Sequence, residues 1–342
     1  MQPQALLMLG LCSLAPALCG QQVATSPAVE LKPSGKVELP FSQSYQMGGR
    51  TKCDGAGRLY GRPMDVSPGG APKEEFTAPV RAIAPKRDPG EIFRLPAAFA
   101  DRTSTGGIFV SGDGRVFQVA GQVYVVEFAK DGSVNSKTAL QTGPDVTPRH
   151  LAVFKSGRFL LIGEADHAGH TPYTAVFEPD GRPVKKIFEP EDGYARGQVE
   201  AGDTQFVGGT VSGFTIGNRF VSEGDVTLAD DGNAYVMHGA SPTVVYAVSP
   251  MGEVVRKFRV ASSEPGQPAW SIKSYGHRLA LAYPDHGRVE IQVTDLEGAP
   301  IAGYQVPASN AIADLACYDS SGFTLITVDA SSNLYLLQAK PQ

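Results

Sequence analysis

Histidine and carboxylate side chains are concentrated in one short stretch, which reads Glu164-Ala-Asp166-His167-Ala-Gly-His170. Imidazole and carboxylate groups are the ligands that zinc, copper and non-haem iron use in proteins. The pair His167 and His170 could meet one ion if this segment folds back on itself. The same residues are equally ordinary on an exposed loop, so the stretch predicts a possible divalent metal site and requires no cofactor.

Further polar residues of the same kinds recur along the chain and complete the candidate ligand-binding set. An imidazole–carboxylate pair among them could also act as general acid and base in ester or lactone hydrolysis. The set comprises Arg149, His150, Glu164, Asp166, His167, His170, His238, Asp285 and His286. An arginine in such a set can grip a carboxylate with two hydrogen bonds. No residue is assigned a catalytic role, because no nucleophile elbow, phosphate loop or HExxH motif is present.

The elements that must position these residues are short strands separated by turns. A turn with glycine, followed by an apolar strand, occurs in six copies near Gly57, Gly114, Gly157, Gly232, Gly276 and Gly322. A second signature joins an apolar strand to a polar one through a glycine turn. Its five copies span 83–95, 128–140, 176–188, 248–258 and 293–306. Such turns between alternating strands indicate hairpins, so each pair of signatures predicts four antiparallel strands.

A four-stranded sheet that recurs at this interval is typical of a β-propeller blade. Residues 225–236, continuing through 244–255, resemble one NHL-type repeat, and the other copies resemble it more loosely. The likeness covers most of residues 43–338 and implies an all-β, six-bladed propeller of the NHL-repeat-like or TolB-like superfamily. Residues 189–221 stretch the repeat, either as a loop insertion or as a degenerate seventh blade. We therefore expect residues 43–342 to form a single propeller domain.

The sixth repeat lacks a fourth strand, which the tail at 21–42 can supply. The segment from Val29 to Leu39 is predicted to be this closing strand. Closure would bring the first and last blades together and with them Cys53 and Cys317, each of which precedes the first turn of its blade. These two cysteines could form a disulfide, or they could remain two independent buried thiols.

The first twenty residues contain an apolar run and then Ala15-Pro16-Ala17, a pattern typical of a signal peptide cleavage site. No Lys or Arg precedes the run, which departs from that pattern, and lipid attachment at Cys19 is a weaker alternative. We expect a secreted or periplasmic protein. No later run is long enough for a membrane helix.

The formal charge of −5 and the absence of a basic stripe argue against nucleic acid as a partner. In a propeller the glycine turns lie on one face, here called the turn face. The loops between second and third strands and the links between blades lie on the other, the loop face, where the candidate ligand-binding residues are expected. We therefore expect a binding or scaffold protein, monomeric, that recognises a protein, peptide or glycan. A metal-dependent, lactonase-like hydrolase is the alternative.

Overall fold

The fold consists of short strands whose sheets are arranged in a ring. The computed structural model describes residues 23–39, 45–47, 51–65, 79–83, 90–96, 107–120, 123–143, 146–165, 171–187, 205–206, 209–210, 225–238, 242–264, 267–285, 288–307, 314–328 and 334–341. Within these ranges there is no helix, and hence no helix that could cross a membrane.

The first part of the chain supplies the tail and blades 1 and 2. The tail contains β1 (Val23–Ala24), β2 (Ala28–Glu30) and β3 (Pro33–Glu38). Blade 1 and a short extension of it contain β4 (Tyr45–Met47), β5 (Lys52–Cys53), β6 (Leu59–Gly61), β7 (Pro63–Asp65), β8 (Val80–Ile83) and β9 (Ile92–Phe93). Blade 2 contains β10 (Ile108–Val110), β11 (Val116–Ala120), β12 (Tyr124–Phe128) and β13 (Val134–Ala139).

Blades 3 to 6 follow in chain order. Blade 3 contains β14 (Val146–Val153), β15 (Phe159–Ala165), β16 (Thr171–Phe177) and β17 (Pro183–Lys186), and a small hairpin follows with β18 (Gln205–Phe206) and β19 (Gly209–Thr210). Blade 4 contains β20 (Val226–Leu228), β21 (Ala234–His238), β22 (Thr243–Val248) and β23 (Val254–Val260). Blade 5 contains β24 (Ser271–Tyr275), β25 (Arg278–Asp285), β26 (Arg288–Asp295) and β27 (Pro300–Pro307). Blade 6 contains β28 (Asp314–Asp319), β29 (Gly322–Val328) and β30 (Leu334–Ala339).

The six-bladed ring is confirmed by which inner strands touch. The first strand of each blade contacts the first strand of the next, in the order β5, β10, β14, β20, β24, β28 and back to β5. Since β14 of blade 3 contacts β20 of blade 4 directly, no seventh blade lies between them. Most of residues 189–221 lie outside the described residues, so the insertion there stays a prediction.

The turns form where the sequence signatures predicted them. In each of the six first-turn signatures the glycine adopts a positive φ, as at Gly232 with φ 82°. A β-carbon is strongly disfavoured in this region of backbone space, which explains the choice of residue. At Gly181 a β-carbon would also lie 1.9 Å from the carbonyl oxygen of Ala139, so this glycine allows blades 2 and 3 to approach closely.

Apolar side chains fill the interfaces between blades rather than one central core. The largest cluster joins blades 2, 3 and 4 through residues such as Phe117, Leu161 and Val236. Separate clusters lie between blades 4 and 5, 5 and 6, 6 and 1, and 1 and 2. The alternation of strand residues therefore buries both faces of each sheet, which is how a propeller packs.

The closing strand is confirmed, although its bounds differ from those predicted. Strand β3 pairs antiparallel with β30 and supplies the fourth strand of blade 6, with Val37 opposite Leu336. The prediction of one strand over 29–39 was wrong in its first part. Residues 28–30 form β2, which pairs in parallel with β27 of blade 5, because the chain crosses from one blade to the next at the buried Leu31.

The disulfide prediction is also confirmed. The sulfur atoms of Cys53 and Cys317 are bonded at 2.06 Å, and their Cα atoms lie 5.5 Å apart. The bond joins the inner strands of blades 1 and 6, which are neighbours in the ring. The two ends of the propeller are therefore held both by β3 and by a covalent link.

Candidate functional site

The ring axis contains a buried group of charged residues contributed by four blades. Lys52 lies on β5, Asp225 immediately before β20, Lys273 on β24 and Asp314 at the start of β28. We call these four residues the axial cluster. Inner strands run from the loop face to the turn face, so Asp225 and Asp314, at strand starts, lie towards the loop face. The cluster therefore lies in the channel beneath the predicted binding face.

Asp225 is the centre of this cluster and is fully buried. Its Oδ1 atom accepts hydrogen bonds from Nζ of Lys52 at 2.6 Å and from the backbone N–H of Val226 at 2.9 Å. Its Oδ2 atom accepts from Nζ of Lys273 at 2.9 Å and from the N–H of Ile272 at 3.3 Å. A carboxylate offers about four lone-pair directions, and these four donors use all of them.

Lys52 spans the axis from one side of the ring to the other. Blades 1 and 4 are three steps apart in a ring of six, and the Lys52 ammonium group reaches both Asp225 and the carbonyl oxygen of Val226, at 3.1 Å. Burial lowers the pKa of Lys52, Asp225 opposes this shift, and the nearby charge of Lys273 lowers the pKa further. The ammonium group thus lies where opposite blades converge.

Asp314 contributes the second carboxylate of the axial cluster. Its Oδ2 atom accepts a long hydrogen bond of 3.4 Å from the backbone N–H of Thr51, and its charge raises the pKa of Lys52. The axial cluster thus contains two lysines and two aspartates, of which Lys52, Lys273 and Asp225 are buried and Asp314 is half-buried. A buried cluster of this kind is strongly destabilised when one charge is removed, because its partner then stays buried and unpaired.

Two residues of the predicted ligand-binding set lie on the inner strand of blade 3. A β-bulge between Pro148 and His150 leaves Arg149 as the extra residue of β14, and Arg149 is exposed. Bulges often redirect a side chain next to a functional site. His150 precedes the turn residue Phe154 by four positions, as Asp225 precedes Ala229, so His150 occupies in blade 3 the register that Asp225 occupies in blade 4.

Three other predicted residues lie at strand ends on the loop face. Glu164 pairs with Thr147 and Pro172, and His238 and Asp285 lie near the ends of β21 and β25. Their backbones therefore border the predicted face on blades 3, 4 and 5. Asp166, His167, His170 and His286 lie outside the described residues.

The metal site at His167 and His170 therefore stays a prediction. Among the residues that the structure describes, no group of three or more His, Cys, Asp or Glu side chains could hold a metal ion. Asp225 is positioned for this chemistry by its burial, but both of its oxygens are bonded to lysine ammonium groups.

The axial cluster is the feature that the sequence analysis missed. Lys273 stands in the strand Ser-Ile-Lys-Ser-Tyr, where Ile272 and Ser271 are fully buried, and Lys52 directly precedes Cys53. A lysine inside a strand that is predicted to line the axis is the one available signal. It could have indicated a buried partner of opposite charge, although not which carboxylate.

Charged residues of the turn face mostly pair with one another. Some pairs join neighbouring blades, as Lys185 of blade 3 does with Glu253 of blade 4 at 2.9 Å. The other pairs include Arg58 with Asp54, Arg115 with Asp113, Arg158 with Glu178, Arg182 with Asp180 and Arg256 with Glu297. These contacts organise the turns and are largely solvated, so they have a structural role.

Comparison with known proteins supports the fold and leaves the family open. No protein-family model matches the chain, and no curated protein matches it. The X-ray structure of a protein described as a candidate gluconolactonase is similar, with a TM-score of 0.51 and 12% identity, covering 92% of this chain and 98% of that one. This level of identity shows the propeller fold alone.

Two further structures match at lower TM-scores. A protein of unknown function from Bacteroides caccae has a TM-score of 0.43 and 14% identity, covering 78% of this chain and 84% of its own. The Dos1 propeller has a TM-score of 0.44 and 10% identity, covering 86% of this chain and 73% of its own.

Proposed function

We propose that this chain is an exported propeller of the NHL-like or TolB-like group that binds a protein, peptide or glycan with its loop face. A propeller offers a rigid ring on which loops of varied sequence can be displayed, and binding residues are concentrated on such loops. Arg149, on the bulge of β14, and the strand ends at Glu164, His238 and Asp285 are the described positions that border this face.

The observation that carries the proposal is that the hydrogen-bond acceptor capacity of the Asp225 carboxylate is fully used. A metal-dependent hydrolase needs ligands with open lone pairs and a coordination position for water. The most deeply buried carboxylate of the axis already accepts four hydrogen bonds, two of them from ammonium groups. The axial cluster therefore favours recognition by the loops above the channel over chemistry inside it.

A lactonase-like hydrolase is the second candidate. The similar structure described as a candidate gluconolactonase raises it, although likeness at 12% identity concerns fold only. Such an enzyme would take metal ligands from His167 and His170, in the segment between β15 and β16. This version requires a metal at the loop face and leaves the axial cluster intact.

Export is supported by the disulfide between Cys53 and Cys317. Disulfides persist mainly in oxidising compartments such as the periplasm and the extracellular space. A secreted or periplasmic location also agrees with the predicted signal peptide at residues 1–20.

The test combines cross-linking with metal analysis on the untagged, exported protein. Wild type is cross-linked in its own extracellular or periplasmic fraction, beside an Arg149→Ala/His150→Ala variant of the loop face and an Arg115→Ala variant of the turn face. We expect a defined cross-linked partner with wild type and with Arg115→Ala, and its loss with the loop-face variant.

The same preparations are analysed for zinc, copper, iron, manganese and calcium and assayed on simple lactones and esters. About one equivalent of a metal that is lost in a His167→Ala/His170→Ala variant, together with hydrolysis that disappears with it, would favour the enzyme. A specific cross-linked partner without hydrolysis would support the binding protein.

A further inference from the structure

The tail crosses the outer rim of the propeller before it closes the ring. Strand β1 pairs in parallel with β23, the outer strand of blade 4, and β2 pairs in parallel with β27, the outer strand of blade 5. We call residues 23–31 the rim strap. The strap adds a fifth strand to each of these two blades, and Ser26 lies between them.

A buried glutamine recognises the backbone of the strap at Ser26. The N–H of Ser26 donates to Oε1 of Gln292 at 2.9 Å, and Nε2 of Gln292 donates to the carbonyl oxygen of Ser26 at 2.9 Å. The Gln292 side chain is almost completely buried. One amide side chain thus satisfies both backbone groups of one residue, as a neighbouring strand would.

The orientation of this amide is determined by a second buried residue. Glu290 accepts a hydrogen bond from Nε2 of Gln292 at 2.7 Å, so the amide nitrogen and oxygen cannot exchange places without losing it. Glu290 is itself held by the backbone N–H of Ser263 at 2.7 Å and by the Ser263 hydroxyl at 2.5 Å. The acceptor and donor of Gln292 are therefore preorganised towards the strap.

Gly303 provides the space through which the strap passes. A β-carbon at this position would lie 2.5 Å from the carbonyl oxygen of Ser26 and 2.9 Å from that of Pro27. The nearest other atom, Nε2 of Gln292, is 3.1 Å away, so the glycine is needed by the strap rather than by the blade. Of the strap side chains that the structure describes, those of Thr25, Leu31 and the residues between them, four are exposed, including Val29, so the contacts select an extended backbone more than a sequence.

We propose that Gln292, Glu290, Ser263 and Gly303 form a binding site for an extended polypeptide, occupied by the chain's own strap and able to accept the same segment from a second copy. Strand β2 of the strap is joined to β3 only through Leu31 and Lys32, and a short hinge of this kind favours exchange of a terminal strand between copies. The site lies on the outer rim and is separate from the proposed loop face.

The experiment measures whether the site binds its ligand in trans. The probe is a fluorescent peptide of residues 22–32, added to full-length wild type and to full-length Ser26→Pro. Proline lacks the backbone N–H that donates a hydrogen bond to Oε1 of Gln292. The variant's own strap should therefore compete less well with the peptide for the site. Because a tethered segment acts at an effective concentration near millimolar, we expect the peptide to bind the variant at least about tenfold more tightly than wild type.

Two controls identify the site. The same peptide carrying Ser26→Pro should bind neither protein, and adding Gly303→Ala to the Ser26→Pro protein should abolish binding of the unmodified peptide. Equal affinity for wild type and Ser26→Pro, or binding that persists with Gly303→Ala, would overturn the proposal.

If Ser26→Pro does not fold, backbone amide hydrogen exchange on wild type tests whether the strap can leave its site. Amides of Ser26 and Leu31 that exchange while β23 and β27 stay protected would support a strap that opens by itself. Exchange of the strap only together with those strands would refute the proposal. Neither outcome depends on the loop-face partner, so this test and that of the proposed function can fail separately.

Discussion

At the scale of residues, the most informative feature is the saturated carboxylate of Asp225. Two ammonium groups and two backbone N–H groups from three blades converge on it. The cost of removing these charges from water is offset only while every member of the axial cluster is present. The cluster should therefore be sensitive to substitution although no ligand touches it.

Replacing Asp225 with alanine should strongly destabilise the protein. Lys52 and Lys273 would then remain buried without their shared partner, and breaking a buried pair in this way costs about 3–5 kcal/mol. The measurement is urea unfolding followed by circular dichroism. Asp180→Ala, which removes a solvated pair with Arg182 on the turn face, should leave the midpoint unchanged. Similar midpoints for both variants would contradict the role assigned to the cluster.

The lowered pKa of Lys52 predicts a pH dependence of stability. Because the folded state disfavours the protonated amine, the unfolded state binds more protons as the pH approaches the ordinary lysine value of 10.5, and stability rises with pH in that range. This increase in stability with pH should be present in wild type and absent in Lys52→Met. The measurement is the urea midpoint of each protein at several pH values between neutral pH and 10.5. A parallel response of the two proteins would argue against it.

At the scale of elements, β3 performs the closure that the sequence predicted. It continues into Leu39, whose N–H donates to the carbonyl oxygen of Leu334 at 2.9 Å and whose side chain is buried between blades 6 and 1. The strap before it pairs with the blades through the shorter strands β1 and β2, and several of its side chains are exposed. The same tail thus combines a structural strand with a segment that we expect to open more easily.

Substitutions in these two segments should differ in effect. Leu39→Ala removes a buried side chain and should lower the free energy of unfolding by about 2–5 kcal/mol. Val29→Ala, on the exposed side of β2, should change it by less than about 0.5 kcal/mol. Thermal and urea unfolding of both variants provide the measurement. A larger effect at Val29 would mean that the strap, and not β3, secures the ring.

At the scale of the whole molecule, the propeller is a chain whose ends must meet. The disulfide links Cys53 and Cys317 across 264 positions, nearly the entire ring. A crosslink that closes so long a loop restricts the unfolded state more than the folded one. Together with β3 it should prevent blades 1 and 6 from separating.

Removing the crosslink should therefore destabilise the entire ring. A Cys53→Ala/Cys317→Ala variant should lose about 5–6 kcal/mol relative to oxidised wild type in the chain-entropy account. Urea unfolding of the variant, of wild type and of wild type treated with a reductant provides the comparison, and reduced wild type should resemble the variant. Equal stability of oxidised and reduced wild type would show that β3 alone closes the ring.

The sequence by itself determined the hairpins, the six repeats, the closing strand and the candidate cysteine pair. Glycine turns such as that at Gly232 depend on backbone sterics within a few residues, so they can be recognised locally. Only the tertiary structure decided that Lys52 meets Asp225, 173 positions away, and that residues 28–30 pair with blade 5 rather than continue into β3. Those contacts exist because ring closure brings distant blades to one axis and one rim, and no short-range rule in the sequence specifies which residues meet there.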